Sequence, residues 1–246
     1  MSKVLVVFGS KSDSGVYEKI VRLLKKEKID VELRIASAHR APAEIDEIAK
    51  TDADLIIAGA GLSAALPGAI AAKTIKPIIG VPVKSNYEGL DALLSIAQMP
   101  SGIPVLAVGV EQTGVVIENA KKILKDYEGV TIIADKETKA VEKAEDILKE
   151  FKIDYKKELK ADPKTINLEF VYFDEPIEQK DELVIYCPLL MEDDDKAEAA
   201  INLLKHSTHG LWVGLNNGKN AALAAVEILN KDGKYSNKLS GFRTKK

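Results

Sequence analysis

VLVVFGSKSDSGVYEKIVRLLKKEKI, residues 4–29, begins with five consecutive apolar residues, passes through a polar loop opened by glycine, and continues with apolar positions three or four residues apart. An apolar run without polar alternation suits a strand buried on both faces, and the 3.6-residue period that follows suits an amphipathic helix. That pairing is the βα unit of a parallel sheet covered on both sides. The pattern recurs as VELRIA (31–36) then APAEIDEIAK (41–50), DLIIAG (54–59) then SAALPGAIAAK (63–73), KPIIGVPV (76–83) then LDALLSIAQ (90–98), and IPVLAVGV (103–110) then VVIENAKKILKDY (115–127). Five units ending near Tyr127 predict a three-layer α/β domain. Gly9, Gly59, Gly61 and Gly80 fall at or just past the strand ends, on the rim where open α/β sheets hold ligands.

The remainder reads as a degenerate second copy of the same fold. Val130 to Ala134 matches Val4 to Phe8, and ILKEFKIDY (147–155) matches LLKKEKIDV (23–31) once two loop residues are dropped. GLNNGKNAALAAVEIL (214–229) aligns without gaps to GVEQTGVVIENAKKIL (109–124), and DELVIYCP (181–188) can sit where DADLIIAGAG (52–61) does. The expected division is therefore a domain at 1–127, a degenerate repeat at 128–231, and a polar, lysine-rich tail at 232–246 expected to be loosely held.

A formal net charge of -3, with Lys and Glu interspersed along the helices, leaves no basic stripe for nucleic acid. Cys187 is the only cysteine, which excludes an internal disulfide and CxxC chemistry, fits a reducing compartment, and with only three histidines argues against a metal site. No run approaches the roughly 18 to 20 apolar residues of a membrane span, and MSKVLVVF has no basic leader region, so a cytoplasmic location is expected.

Three strand-end loops carry the chemistry. GSKSDS (9–14) presents Ser10, Ser12, Asp13 and backbone N–H groups at a helix N-terminus, which suits a phosphate; Ser12 or Asp13 serving only as a helix cap is the plainer reading. SAHRAP (37–42) ends the next strand on the same rim. Its Arg40 offers a bidentate partner for an anion, and His39 has the side chain suited to proton transfer near neutrality; a surface pair is the alternative. GAGLSAALPG (59–68) has small side chains that either admit a planar ligand or pack a helix closely. SNYEGLDALLSIAQMPSGIPV (85–105) adds Asp91, Ser95, Gln98 and Met99, whose spacing also fits core. His206 and His209 lie near a helix end and are expected to cap it.

In this order and spacing, GSKSD, SAHRAP, AGAGLSAALPG, KPIIGVPV and GLDALLSIAQMPSGIPV resemble the catalytic-subunit family of phosphoribosylaminoimidazole carboxylase over about residues 3–125. The resemblance implies a flavodoxin-like fold, a small-molecule nucleotide substrate, no metal or organic cofactor, and a homo-oligomer with shared active sites. It implies Ser10, Ser12 and Arg40 as phosphate ligands beside Ser37, Asp13 as ribose ligand, His39 as general acid/base, and Ala60, Gly61 and Leu66 as the wall around the base and CO2. QMPSGIPV and GVPV resemble the branch that isomerises N5-carboxyaminoimidazole ribonucleotide to the C4-carboxylated form; direct carboxylation of aminoimidazole ribonucleotide and a noncatalytic nucleotide-binding role are the alternatives. Two departures stand out. Ala65 occupies a position where the mutase pattern AAHLPG has histidine, and the family's last helix, similar to NAALLAAQIL, is matched better by Asn220 to Leu229 than by Glu118 to Leu124. The second half also has Lys136, Glu137, Thr138 and Lys139 where the first has its serine-rich loop, so it is expected to be noncatalytic.

Overall fold

The computed structural model describes residues 2–191 and 193–244. Strands β1 (Lys3–Phe8), β2 (Asp30–Ile35), β3 (Leu55–Ala60), β4 (Ile78–Pro82) and β5 (Leu106–Ala107) alternate with helices α1 (Ser14–Lys26), α2 (Pro42–Ala49), α3 (Ala65–Ala71), α4 (Leu90–Ala97) and α5 (Thr113–Ile123). The second half supplies β6 (Val130–Ile133), α6 (Lys139–Phe151), β7 (Tyr155–Glu158), β8 (Ile166–Val171), β9 (Val184–Pro188), α7 (Lys196–His206), β10 (Leu211–Trp212), α8 (Gly218–Leu229) and α9 (Ser236–Thr244). Among the described residues no helix is long and apolar enough to cross a membrane.

All ten strands form one sheet, in the order β2-β1-β3-β4-β5-β10-β9-β8-β6-β7. Read inward from either edge, each half has its second strand outermost, then its first, third, fourth and fifth. The first half thus has the flavodoxin-like order 2-1-3-4-5. Pairings within each half are parallel, and among the described residues the single antiparallel contact joins the halves at Trp212 opposite Ala107.

Strand alternation sorts the core into two faces. Val4, Val6 and Phe8 pack with Ile20 and Leu24 of α1, and the same layer continues through Ile132, Leu168, Cys187 and the apolar face of α8. Leu5 and Val7 point the other way, onto Ile45 and Ile48 of α2 and Ile70 of α3. Gly59 is required at the C-terminal end of β3 because a Cβ there would stand 2.2 Å from the Phe8 ring.

The second half departs from its sequence reading in three places. DELVIYCP forms β9, which occupies the β4-like position beside β10; the β3-like position next to β6 belongs to β8, INLEFV, which the sequence reading left without an element. The connections 159–165 and 172–183 carry no helix, so nothing corresponds to α2 or α3. On that face Tyr186 and Trp212 stack on each other with centroids 4.7 Å apart, and Phe173 stacks on His206 at 5.4 Å, filling the layer with rings. His209 packs edge-on against Tyr186, and burial holds its imidazole below the ordinary histidine range, so His209 belongs to this aromatic cluster instead of capping α7; His206, in the last turn of α7, stacks on Phe173.

The tail is also ordered otherwise than expected. Lys245 and Lys246 lie outside the described residues, but α9 buries Leu239 and Phe242 against Phe151. Arg243 donates through Nε to the Thr74 carbonyl at 2.9 Å, through Nη1 to the Gly102 carbonyl, and pairs through Nη2 with buried Glu227. The last helix therefore ties the second half to two loops of the first. Burial pushes the Glu227 carboxyl up to about 8 against the opposing pull of Arg243. Arg243→Met removes the cation that pairs with that carboxyl and strands the Thr74 and Gly102 carbonyls, and should lower unfolding free energy in urea by about 3–5 kcal/mol. Without Arg243 the carboxyl ionises only at higher pH in the folded state, so the deficit relative to wild type should widen above about pH 8.

Candidate active site

The sheet order reverses between β1 and β3, which leaves a crevice at their C-terminal ends. Backbone bonds fix its floor: Gly9 N–H donates to Gly59 C=O at 3.1 Å, Ala36 N–H to Phe8 C=O at 2.9 Å, and Val83 N–H to Ala60 C=O at 3.0 Å. The loops after β1, β2 and β3 leave this floor side by side and enclose a cavity of about 390 Å³. Ser10, Ser12, Asp13, Ser37, His39, Arg40, Ala60, Gly61 and Leu66, the nine residues singled out in the sequence, all line it, together with Gly9, Ala38, Leu62, Ser63 and Ala65. Asp91, by contrast, accepts a hydrogen bond from Ser85 Oγ at 2.7 Å outside this lining.

Each loop has a local reason for its shape. Ser10 is extended, and its Oγ accepts the Ser12 N–H at 3.2 Å, capping a 3-10 turn (Lys11–Asp13) that leads into α1. The Ser12 hydroxyl lies 2.8 Å from Ser10 Oγ and 3.0 Å from Asp13 Oδ1, a polar chain along one wall. In the second loop the Ser37 carbonyl accepts from the N–H groups of Arg40 (3.2 Å) and Ala41 (2.8 Å), a tight turn that Pro42 ends by starting α2 at its first position. The turn leaves His39 and Arg40 exposed at the mouth. Among the described residues no side-chain hydrogen bond or ion pair engages Arg40, so its guanidinium is available to an incoming anion.

The electrostatics divide the cavity. Arg40, the serine hydroxyls and the N-terminal end of α1 favour an anion on one side. Asp13 faces them with its carboxyl above the ordinary aspartate range, chiefly because burial disfavours its charge; the Ser12 hydroxyl opposes that shift and the charge of Glu111 adds to it. The opposite wall is apolar: Leu66 is buried and Ala65 presents only a methyl group. The set therefore combines an anion cradle, a carboxylate acceptor, an imidazole at the mouth and a small apolar recess.

A family model described as AIR carboxylase matches residues 3–126, half of the chain and all of the cavity. The chain belongs to the AIR carboxylase family. Relatives in that family include the N5-carboxyaminoimidazole ribonucleotide mutase of Methanocaldococcus jannaschii, 50% identical over 110 residues that cover 44% of this chain and 70% of that protein. The corresponding mutases of Pyrococcus abyssi and Saccharolobus solfataricus are 47% and 48% identical, each over 45% of this chain and over 67% and 73% of their own lengths. The AIR carboxylase match ends at Asp126, four residues before β6 begins at Val130.

Because Asp13 is harder to ionise in the folded state than in the unfolded chain, the protein loses stability as pH rises from the ordinary aspartate pKa of 3.8 through the raised folded value. Asp13→Asn removes that loss. The variant should melt at or above the wild-type temperature at pH 7, with the difference shrinking towards pH 4; calorimetry at both pH values checks it.

Proposed function

We propose that this chain is an N5-carboxyaminoimidazole ribonucleotide mutase of purine biosynthesis whose chemistry lies in residues 1–127. The observation that carries the reading is the convergence of three loops, and of all nine motif residues, on one cavity at the β1/β3 crevice. Ser10, Ser12 and Arg40, beside Ser37, take the phosphate, and Asp13 accepts from the ribose hydroxyls. The aminoimidazole ring then extends over Ala60 and Gly61 towards Leu66.

In the reaction the carbamate N–C bond breaks and its electron pair returns to the ring system as CO2 forms. C4 attacks the retained CO2, making the C–C bond, and the C4 proton is transferred to the exocyclic nitrogen. No net proton is gained or lost, so one imidazole, His39, can take the proton and return it within a turnover. The apolar recess at Ala60, Ala65 and Leu66 suits CO2, which needs retention more than charge. With alanine at position 65, that recess is lined without a second imidazole.

Residues 128–231 are, on this reading, a degenerate noncatalytic repeat, with 232–246 as its C-terminal extension. The mirrored strand order supports a duplication. So does the seam, where Gly109 lies against the Ser207 carbonyl after α7 and Gly214 against the Ala97 carbonyl at the end of α4, the reciprocal contacts of a two-fold interface. The losses are specific: the missing helices are those that follow the histidine-bearing and glycine-rich loops in the first half. The cavity at the matching rim is lined by Asp135, Glu169, Asp174, Glu175 and Glu178 against Lys136 and Lys180, which opposes a phosphate. The chain further self-associates so that another copy closes the cavity mouth, where Leu62 is 68% exposed, and it works in the cytoplasm.

The test is an assay of the purified chain on fresh N5-carboxyaminoimidazole ribonucleotide, corrected for spontaneous decay, beside aminoimidazole ribonucleotide with excess bicarbonate. Enzyme-dependent product should form faster from the carbamate; activity on the free amine alone would make it a carboxylase. His39→Asn should retain nucleotide binding and lose about 10²–10⁴ of kcat. Arg40→Ala should mainly raise KM, and near-wild-type turnover by the His39 variant would remove this mechanism.

A further inference from the structure

The segment after α4, residues 99–103, is a turn whose backbone polar groups are taken up by side chains from the other half of the molecule. Asn220, in the first turn of α8 and 1% exposed, accepts the Gly102 N–H on Oδ1 at 2.8 Å. Its Nδ2 faces the carbonyls of Pro100 at 3.0 Å, Ile103 at 3.4 Å and Met99 at 3.5 Å. Asn217, the N-cap of the same helix, donates to the Met99 carbonyl at 3.1 Å, and Arg243 of α9 takes the Gly102 carbonyl. A buried amide with this many polar neighbours admits few substitutes, since any apolar side chain strands them and a carboxylate repels the carbonyls.

Two steps connect this clamp with the cavity. The Met99 thioether rests on α3: a Cβ added at Gly68 would stand 3.0 Å from its sulfur. The first turn of α3 carries Ala65 and Leu66, the apolar wall of the cavity. By contrast Ser10, Ser12 and Arg40 stand on the loops after β1 and β2. The clamp therefore bears on the recess and not on the anion cradle.

We infer that Asn220 is a positioning residue for the first half's site: through the 99–103 turn and Met99 it sets the place of α3 and hence the CO2-holding wall. The second half then acts on catalysis without touching substrate. Asn220 opens the segment 220–229 that better matches the family's last helix, while the aligned first-half position holds Val115. That asymmetry follows if the retained asparagine serves the retained MPSG turn. The kinetic part of this inference rests on the mutase reading above; the structural part does not.

The experiment uses the full chain. Asn220→Asp keeps the acceptor for Gly102 N–H and replaces the donor by an acceptor; Met99→Ala cuts the next link. Lys231→Ala is the control, because Lys231 bonds the Leu124 and Lys125 carbonyls and Asp126 across the junction, on residues that do not line the cavity. Expected are a kcat at least tenfold lower with KM within threefold for Asn220→Asp and for Met99→Ala, and a double variant no worse than the worse single. Backbone amides of 61–72 should also exchange with deuterium at least tenfold faster in both, while Lys231→Ala lowers the melting temperature and leaves kcat and this exchange unchanged. Wild-type kcat and exchange in Asn220→Asp, whatever its melting temperature, would overturn the inference. If Asn220→Asp does not fold, Asn217→Ala and Met99→Ala decide by the same readings. A wild-type chain silent on the carbamate would refute the mutase reading, and the exchange comparison alone would then decide the positioning role.

Discussion

Trp212 faces Ala107 in an antiparallel register, and on that pair two five-stranded parallel halves become one layer of ten strands. The indole is fully buried, stacks on Tyr186 and donates its N–H to the His209 carbonyl at 2.7 Å, so its plane is fixed from three directions. Around it the close passages at Gly109 and Gly214 leave no room for a side chain on either strand exit. A rotation at the seam would break all of these together. The 99–103 turn, the contact of Arg243 with Thr74 and Gly102, and the packing of α4 near α7 all presuppose this register.

The seam also explains how the two cores can be continuous while the two rims differ. Strand interiors are constrained by neighbours on both sides, and Val130–Ile133 resembles Val4–Val7 in burial and period. Loops at the C-terminal rim are not held by strand neighbours on both sides. In the first half they carry hydroxyls, imidazole and guanidinium around the cavity; in the second, carboxylates and aromatic rings stand at the corresponding rim.

Much of the first half is legible in the sequence because each βα unit carries its own signal: an apolar run, a glycine at the strand end, then helical periodicity. The site residues are legible for the same reason, since strand-end loops in this topology share one rim. β8 escapes because INLEFV lies between two connections without helices, and the repeat alignment spent its third-strand position on DELVIYCP. The docking of α9 escapes because SNKLSGFRT offers only Leu239 and Phe242 to the core, too few for a periodicity; Phe151 and the paired Glu227 determine that it binds. Asn220 reads as a polar residue in an alanine-rich helix. What it bonds is 118 residues away in the chain, a separation no local pattern encodes.

A two-fold dimer of identical subunits must accept every substitution twice, once on each side of its interface. Under the proposed duplication that bookkeeping is lifted here, and each side of the seam is free to specialise. Val115 and Asn220 occupy aligned positions, yet only Asn220 still has a loop to hold. Fusion also removes dilution from the equilibrium: docking of the two halves is intramolecular, so the grip of α8 on the 99–103 turn persists at protein concentrations where a separate partner would dissociate.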